Sequence, residues 1–212
     1  VGSVEEGSPA ATAGLEPNMI IESINGQTLA DIDPRIQLAQ ILAAAEASDG
    51  VMRFDIRDRD DDIVVNVPVL GAYSDTWPLD CPKSEAIVRG FVQYLNSEGA
   101  DRGFSGIGLL FLVSTGEEAD LEIARQWIHS GMFDGGNRYA WTIGYGGIGL
   151  CEYYLRTGDE RALQAVQRYV DHAVEGQYLD GWAGRGGVPS VTYGNGHLNA
   201  AGTGACAFLL LA

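Results

Sequence analysis

Residues 1–26 read VGSVEEGSPAATAGLEPNMIIESING, and the order of small elements in this stretch decides the fold. Val1 to Val4 suits a short strand. Gly7-Ser8-Pro9-Ala10 is a turn whose proline presets φ for a short helical turn. Ala13-Gly14-Leu15 ends that turn with a glycine able to take positive φ. Met19 to Ile24 is an apolar-rich run, and Asn25-Gly26 after it is a hairpin signal.

Outward from this stretch the pattern continues to about Leu70. Asp33 reads as an N-cap with Pro34 at the first helical position. The helix places Leu38, Ile41, Leu42 and Ala45 on one face and ends near Asp49-Gly50. Two strand patterns follow, Val51 to Arg57 and Ile63 to Val69, joined by the acidic turn Asp58 to Asp62. Leu70 to Pro82 carries Gly71, Pro78 and Pro82, which discourage regular structure.

From Ser84 onward the pattern is helical, and it repeats. Gly106-Ile107-Gly108-Leu109 recurs as Gly147-Ile148-Gly149-Leu150, 41 residues on. Thr115-Gly116-Glu117-Glu118 recurs as Thr157-Gly158-Asp159-Glu160, and Trp127-Ile128 as Tyr169-Val170, both 42 residues on. A partial third copy aligns Gly202, Gly204 and Cys206 with Gly147, Gly149 and Cys151. Each unit is an apolar helix, a Thr-Gly turn and an amphipathic helix. In the second amphipathic helix Leu163, Val166, Val170 and Ala173 keep helical spacing. The glycines at the starts of the apolar helices let those helix ends crowd together. No strand is expected past Lys83.

In this order the first elements resemble the middle of a PDZ domain, a small β-sandwich that holds peptide ends beside one helix. The helical part resembles the opening hairpins of an α/α toroid, the ring of terpene cyclases, prenyltransferases and several glycan-active enzymes. A plain helical solenoid is the competing architecture. The junction Tyr73 to Ser84 looks like that of a bacterial family which joins a PDZ domain to a helical domain and has no assigned activity. The fold class expected is therefore α+β with two domains: a partial PDZ-like β-sandwich, then an incomplete α/α toroid. The boundaries are 1–70 for the PDZ-like part, 71–83 for a connector and 84–212 for the helical repeats. Both ends look cut, so the chain reads as part of a longer protein, and the first ligand-binding strand of a PDZ domain would precede Val1.

Composition limits the partners. The chain has 212 residues, 46% hydrophobic, with a formal net charge of −16, which repels nucleic-acid phosphate and anionic lipid. No apolar run reaches the roughly 18 residues a membrane span needs. Cys81, Cys151 and Cys206 are an odd number without CxxC spacing, so neither a disulfide framework nor a zinc site is read from them. No cofactor or metal is expected. The compartment is not legible, although the resemblance admits export from a bacterial cell.

Two site candidates follow. The PDZ resemblance implies a peptide groove beside Arg35, Leu38 and Leu42, with a protein or peptide C-terminus as partner. Leu38 and Leu42 as plain core residues are the other reading. The second candidate is the loop Asp180 to Asn199, with Asp180, Trp182, Arg185, Tyr193, Asn195, His197 and Asn199. In toroids such loops line the central cavity, and Trp141 and Tyr145 hold the matching place one repeat earlier. Aromatics with Arg and His at a cavity mouth would suit a glycan or another polar small molecule; a loop packed over the ring is the alternative. His197 could serve as a general acid or base. The Asp58-Arg59-Asp60-Asp61 run imitates a terpene-cyclase motif but falls in a hairpin turn. Gly146, Gly147 and Gly149 lack the strand and lysine of a nucleotide loop. The function expected is peptide or protein binding, with a toroid enzyme or a structural array as alternatives.

Overall fold

The computed structural model describes residues 1–29, 33–97, 105–134, 140–178, 181–182, 208–209 and 212. The chain divides into two compact units, Val1–Gly90 and Phe91–Ala212, and each is described by itself.

The first unit opens with α1 (Pro9–Thr12), whose N-cap Ser8 accepts a hydrogen bond from Ala11 N–H. Gly7 and Gly14 flank it at φ 78° and 90°. Strands β1 (Ile21–Ile24) and β2 (Gln27–Thr28) follow, joined by Asn25 and Gly26 at φ 51° and 73°. Positive φ at both central positions is the turn that matches strand twist, which is why Asn-Gly stands there. Helix α2 (Pro34–Glu46) starts at Asp33, whose carboxylate accepts Arg35 N–H. Strands β3 (Val51–Ile56) and β4 (Ile63–Asn66) complete an antiparallel sheet in the order β2-β1-β3-β4.

Alternation sets the core of this unit. Met52, Phe54 and Ile56 of β3 and Ile63 and Val65 of β4 point inward with Leu15, Ile24, Ile41 and Ala45, while Arg53 and Asp55 face out. Each buried aliphatic or aromatic side chain contributes roughly 1.5–3 kcal/mol relative to exposure. Two expectations change. Val1 to Val4 is not a strand, although Val1 pairs with the 18–19 stretch, donating from its amino nitrogen to Met19 O at 2.7 Å and accepting from Asn18 N–H at 2.8 Å. The two later strands are also shorter than their apolar patterns suggest, ending at Ile56 and Asn66.

The connector is tied to α2. Leu70 and Gly71 donate their N–H groups to Glu46 O at 3.0 and 2.9 Å. Lys83 Nζ meets Glu46 Oε2 at 2.6 Å and lies 4.6 Å from the centre of the Tyr73 ring. The Lys83 side chain is only 1% exposed, and a buried ammonium is tolerable only with such partners. Helix α3 (Pro82–Leu95) begins two residues earlier than the pattern suggested, and its later turns supply Val92 and Leu95 to the second core.

The second unit holds α4 (Ser105–Thr115), α5 (Glu118–His129), α6 (Ala140–Thr157) and α7 (Glu160–Glu175). Helices α4 and α6 lie side by side and point the same way: Gly106 touches Gly146 at their starts, and Arg156 Nη2 donates to Gly116 O at 2.9 Å at their ends. The two Thr-Gly turns behave as copies. Gly116 and Gly158 take φ 81° and 68°, and Thr115 and Thr157 each bond a carbonyl of the helix they end. Trp127 and Tyr169 are both buried against glycines of the apolar helices, Gly108 and Gly146.

The buried stripe of α7 differs from the one expected. It consists of Ala162, Ala165, Val166, Tyr169 and Ala173, while Leu163 is 40% exposed and Val170 half-buried. Small alanines bring this helix close to its neighbours, so the larger Leu163 is turned outward. A second correction concerns strands past Lys83. A two-residue ladder, β5 (Gln177–Tyr178) with β6 (Gly181–Trp182), folds back after α7.

Candidate functional site

Helix α2 carries the first candidate. Ile41 and Ala45 are buried, Leu42 packs partly against the core, and Leu38, one turn earlier, is 39% exposed. The four residues expected on one face therefore grade from core to surface. Arg35 lies at the exposed start of the helix and pairs with its own N-cap, Nε and Nη2 meeting the two Asp33 oxygens at 2.9 and 2.7 Å. The Arg35 guanidinium and N–H hold the Asp33 carboxyl below its usual range. Gln37 Nε2 reaches Thr28 O at 2.9 Å and so fixes the helix to β2.

The second candidate, the 180–199 loop, lies almost wholly outside the described residues. Asp180, Arg185, Tyr193, Asn195, His197 and Asn199 are all outside them, as is the Trp141 side chain. Of its candidates only Trp182 is placed. Trp182 is buried at 6% exposure and donates from Nε1 to Ala173 O at 2.6 Å, which satisfies a carbonyl in the last turn of α7. Tyr145 is 45% exposed near the start of α6.

The structure assembles a third group that the sequence reading missed. His129, in the last turn of α5, lies 2.8 Å through Nε2 from Asp159 Oδ2. Tyr153 of α6 donates its hydroxyl to the same oxygen at 3.2 Å, and Arg161 N–H donates to Oδ1 at 2.9 Å, making Asp159 the N-cap of α7. Burial raises the Asp159 carboxyl, but the bonds from His129, Arg161 N–H and Tyr153 outweigh it and hold the carboxyl below its usual range. Burial pushes the Tyr153 phenol up to about 12, so it stays a neutral donor. His129, Tyr153 and Asp159 line a groove of about 400 Å³ with Glu118, Leu121, Glu122, Arg125 and Thr157. Arg125 is held in the groove by Glu122 through Nε and Nη2 at 2.7 and 2.9 Å.

No signal in the sequence pairs His129 with Asp159, thirty residues apart on different helices. The Thr-Gly repeat did place a turn and then an amphipathic helix here, and Asp159 is the N-cap of that helix. Among the described residues no three His, Cys, Asp or Glu side chains are grouped to hold a metal, and no helix is long and apolar enough to cross a membrane.

The four-stranded sheet with α2 laid on it, followed by helical hairpins, defines a PDZ-type module joined to a helical domain. Residues 1–55 match the PDZ domain family. Residues 84–212 match the family described as Domain of unknown function (DUF6288), and the chain belongs to that family. No curated protein and no solved structure matches the chain.

Proposed function

We propose that the chain is a protein-binding module, with a PDZ-type domain over residues 1–70 that takes a peptide C-terminus beside α2. The observation that carries this reading is the PDZ match over residues 1–55 on a unit whose helix leaves Leu38 at the surface above the core residue Ile41. An exposed leucine continuous with a half-buried Leu42 offers an apolar contact for a peptide side chain. Residues 71–83 act as the connector and 84–212 as a helical platform.

The helical repeats continue, on this reading, as an α/α toroid. Three features support it: parallel α4 and α6 joined glycine to glycine, amphipathic α5 and α7 alongside, and Phe208 of the third copy seated against Gly147.

Calorimetric titration with a set of C-terminal peptides tests the binding reading, using the same peptides as C-terminal amides for control. Saturable heat with the free carboxylates only, weakened by Leu38→Asp, is the expected result. Equal heats for acids and amides, or none for either, would remove the proposal.

A further inference from the structure

We infer that the peptide taken beside α2 is a cationic one, with lysine or arginine upstream of its C-terminal carboxylate; this rests on the binding reading above. Residues 1–70 hold thirteen Asp and Glu against four Arg and no Lys, a formal side-chain charge of −9 on a domain that has to accept a carboxylate. An otherwise neutral peptide ending in a carboxylate approaches that field with the wrong sign. Positive side chains upstream reverse the long-range term.

The cations nearest the candidate groove are already engaged. Arg35, one turn before Leu38, meets both Asp33 oxygens, and Arg57 gives Nε to Glu22 Oε1 at 2.8 Å. Arg59 stands in the exposed turn between β3 and β4 with Asp58, Asp60, Asp61 and Asp62, where its charge is outnumbered. Helix α2 carries no charged side chain besides Arg35 and Glu46, and each is in an ion pair, Glu46 with the buried Lys83. The helix therefore offers a peptide the exposed apolar side chains of Ile36 and Leu38 and no net charge. Selection by charge comes from the rest of the domain. A field of that kind acts on association and fades with salt, whereas apolar contacts at α2 do not.

The test titrates the whole chain with peptides that share one apolar C-terminal residue and a free carboxylate. They differ upstream, where they carry two lysines, two glutamines or two glutamates. At low salt the lysine peptide should bind about tenfold tighter than the glutamine peptide, with the glutamate peptide weakest. At about 1 M NaCl, where the Debye length is about 3 Å, the three should converge to within about twofold. The lysine peptide as a C-terminal amide should lose its binding. Asp60→Lys with Asp61→Lys, both exposed in the β3–β4 turn, should narrow the lysine preference about threefold. Equal affinities of the three acids at low salt, or a gap that persists at high salt, would overturn the inference and leave the binding reading standing. A lysine amide binding as tightly as its acid would also overturn it, since charge alone would then hold the peptide anywhere on the surface. Silence of all three acids would remove the binding reading itself, and the inference with it.

Discussion

Gly106 of α4 lies so close to Gly146 of α6 that a Cβ at position 106 would sit 2.5 Å from the Gly146 nitrogen and 2.7 Å from its Cα. The neighbour is backbone, which cannot swing aside as the end of a flexible side chain can. The two apolar helices therefore meet main chain to main chain, and the glycines repeated at their starts are there for approach. A Cβ added at Gly149 would likewise sit 3.0 Å from Gly106 O, so the close approach extends along one turn of α6.

Gly106→Ala is accordingly expected to cost about 1–3 kcal/mol, as overpacking of a close contact does. Gly90 lies within α3 with nothing near its missing Cβ. Gly90→Ala should stabilise by about 0.5–1 kcal/mol through helix propensity. Urea denaturation of the two variants gives shifts of opposite sign if the packing is right.

The Lys83–Glu46 pair supports a second prediction. Lys83→Ala leaves Glu46, 17% exposed, without its cation and should cost about 3 kcal/mol. The double variant Lys83→Met, Glu46→Leu removes both charges and should recover most of that loss. A double-mutant cycle by chemical denaturation measures the coupling; additive single effects would contradict the pairing.

Cys81 gives a pH dependence. The Ser84 hydroxyl, the Ser74 N–H at 3.4 Å and the Ser84 N–H bond its sulfur and pull the thiol down to about 6. Burial pushes the Cys151 thiol up to about 11 instead. Both thiols are 5% exposed and alkylate slowly, so in a Cys206→Ser background the pH dependence separates them: the Cys81 rate should reach half its plateau near pH 6, that of Cys151 only near 11. Because the folded value of Cys81 is the lower one, its stabilising contribution is complete above the unfolded thiol value. It is lost as pH falls toward 6. Half-maximal alkylation of Cys81 near an ordinary thiol value would contradict these bonds.

Asp159 has the same sign at lower pH. Its folded carboxyl lies below the unfolded value of about 3.9, so its contribution is present above that value and disappears as pH falls through the folded one. Asp159→Ala removes the N-cap of α7 and should cost about 1–2 kcal/mol near neutral pH. Asp159→Asn should cost less, since asparagine caps nearly as well. The difference between Asp159→Ala and the parent chain, followed by thermal unfolding, should shrink below pH 4.

Much of this was readable along the chain because the causes are local. Asn25-Gly26 demands positive φ at two successive residues, Asp33-Pro34 starts a helix, and Thr-Gly ends one. Each signal acts within a few residues, so the hairpin, the α2 start and both repeat turns stand where they were expected. Where burial depends on which neighbour comes close, the reading slipped. Helix α7 buries its alanines while Leu163 looks outward. Val1 to Val4 had strand-like composition, yet only Val1 finds backbone partners among residues 18–19.

The amino-acid order by itself determined the hairpin turn, the start of α2, the two-part division and the near-duplicate helical pairs, since each follows from φ preferences, capping and hydrophobic period. Tertiary structure alone decided that Lys83 is buried against Glu46 and that His129 finds Asp159 thirty residues away. It also turned the repeated glycines into a backbone contact between α4 and α6. Such pairings depend on distances between elements remote in sequence, which the packing of whole helices sets and no local spacing encodes.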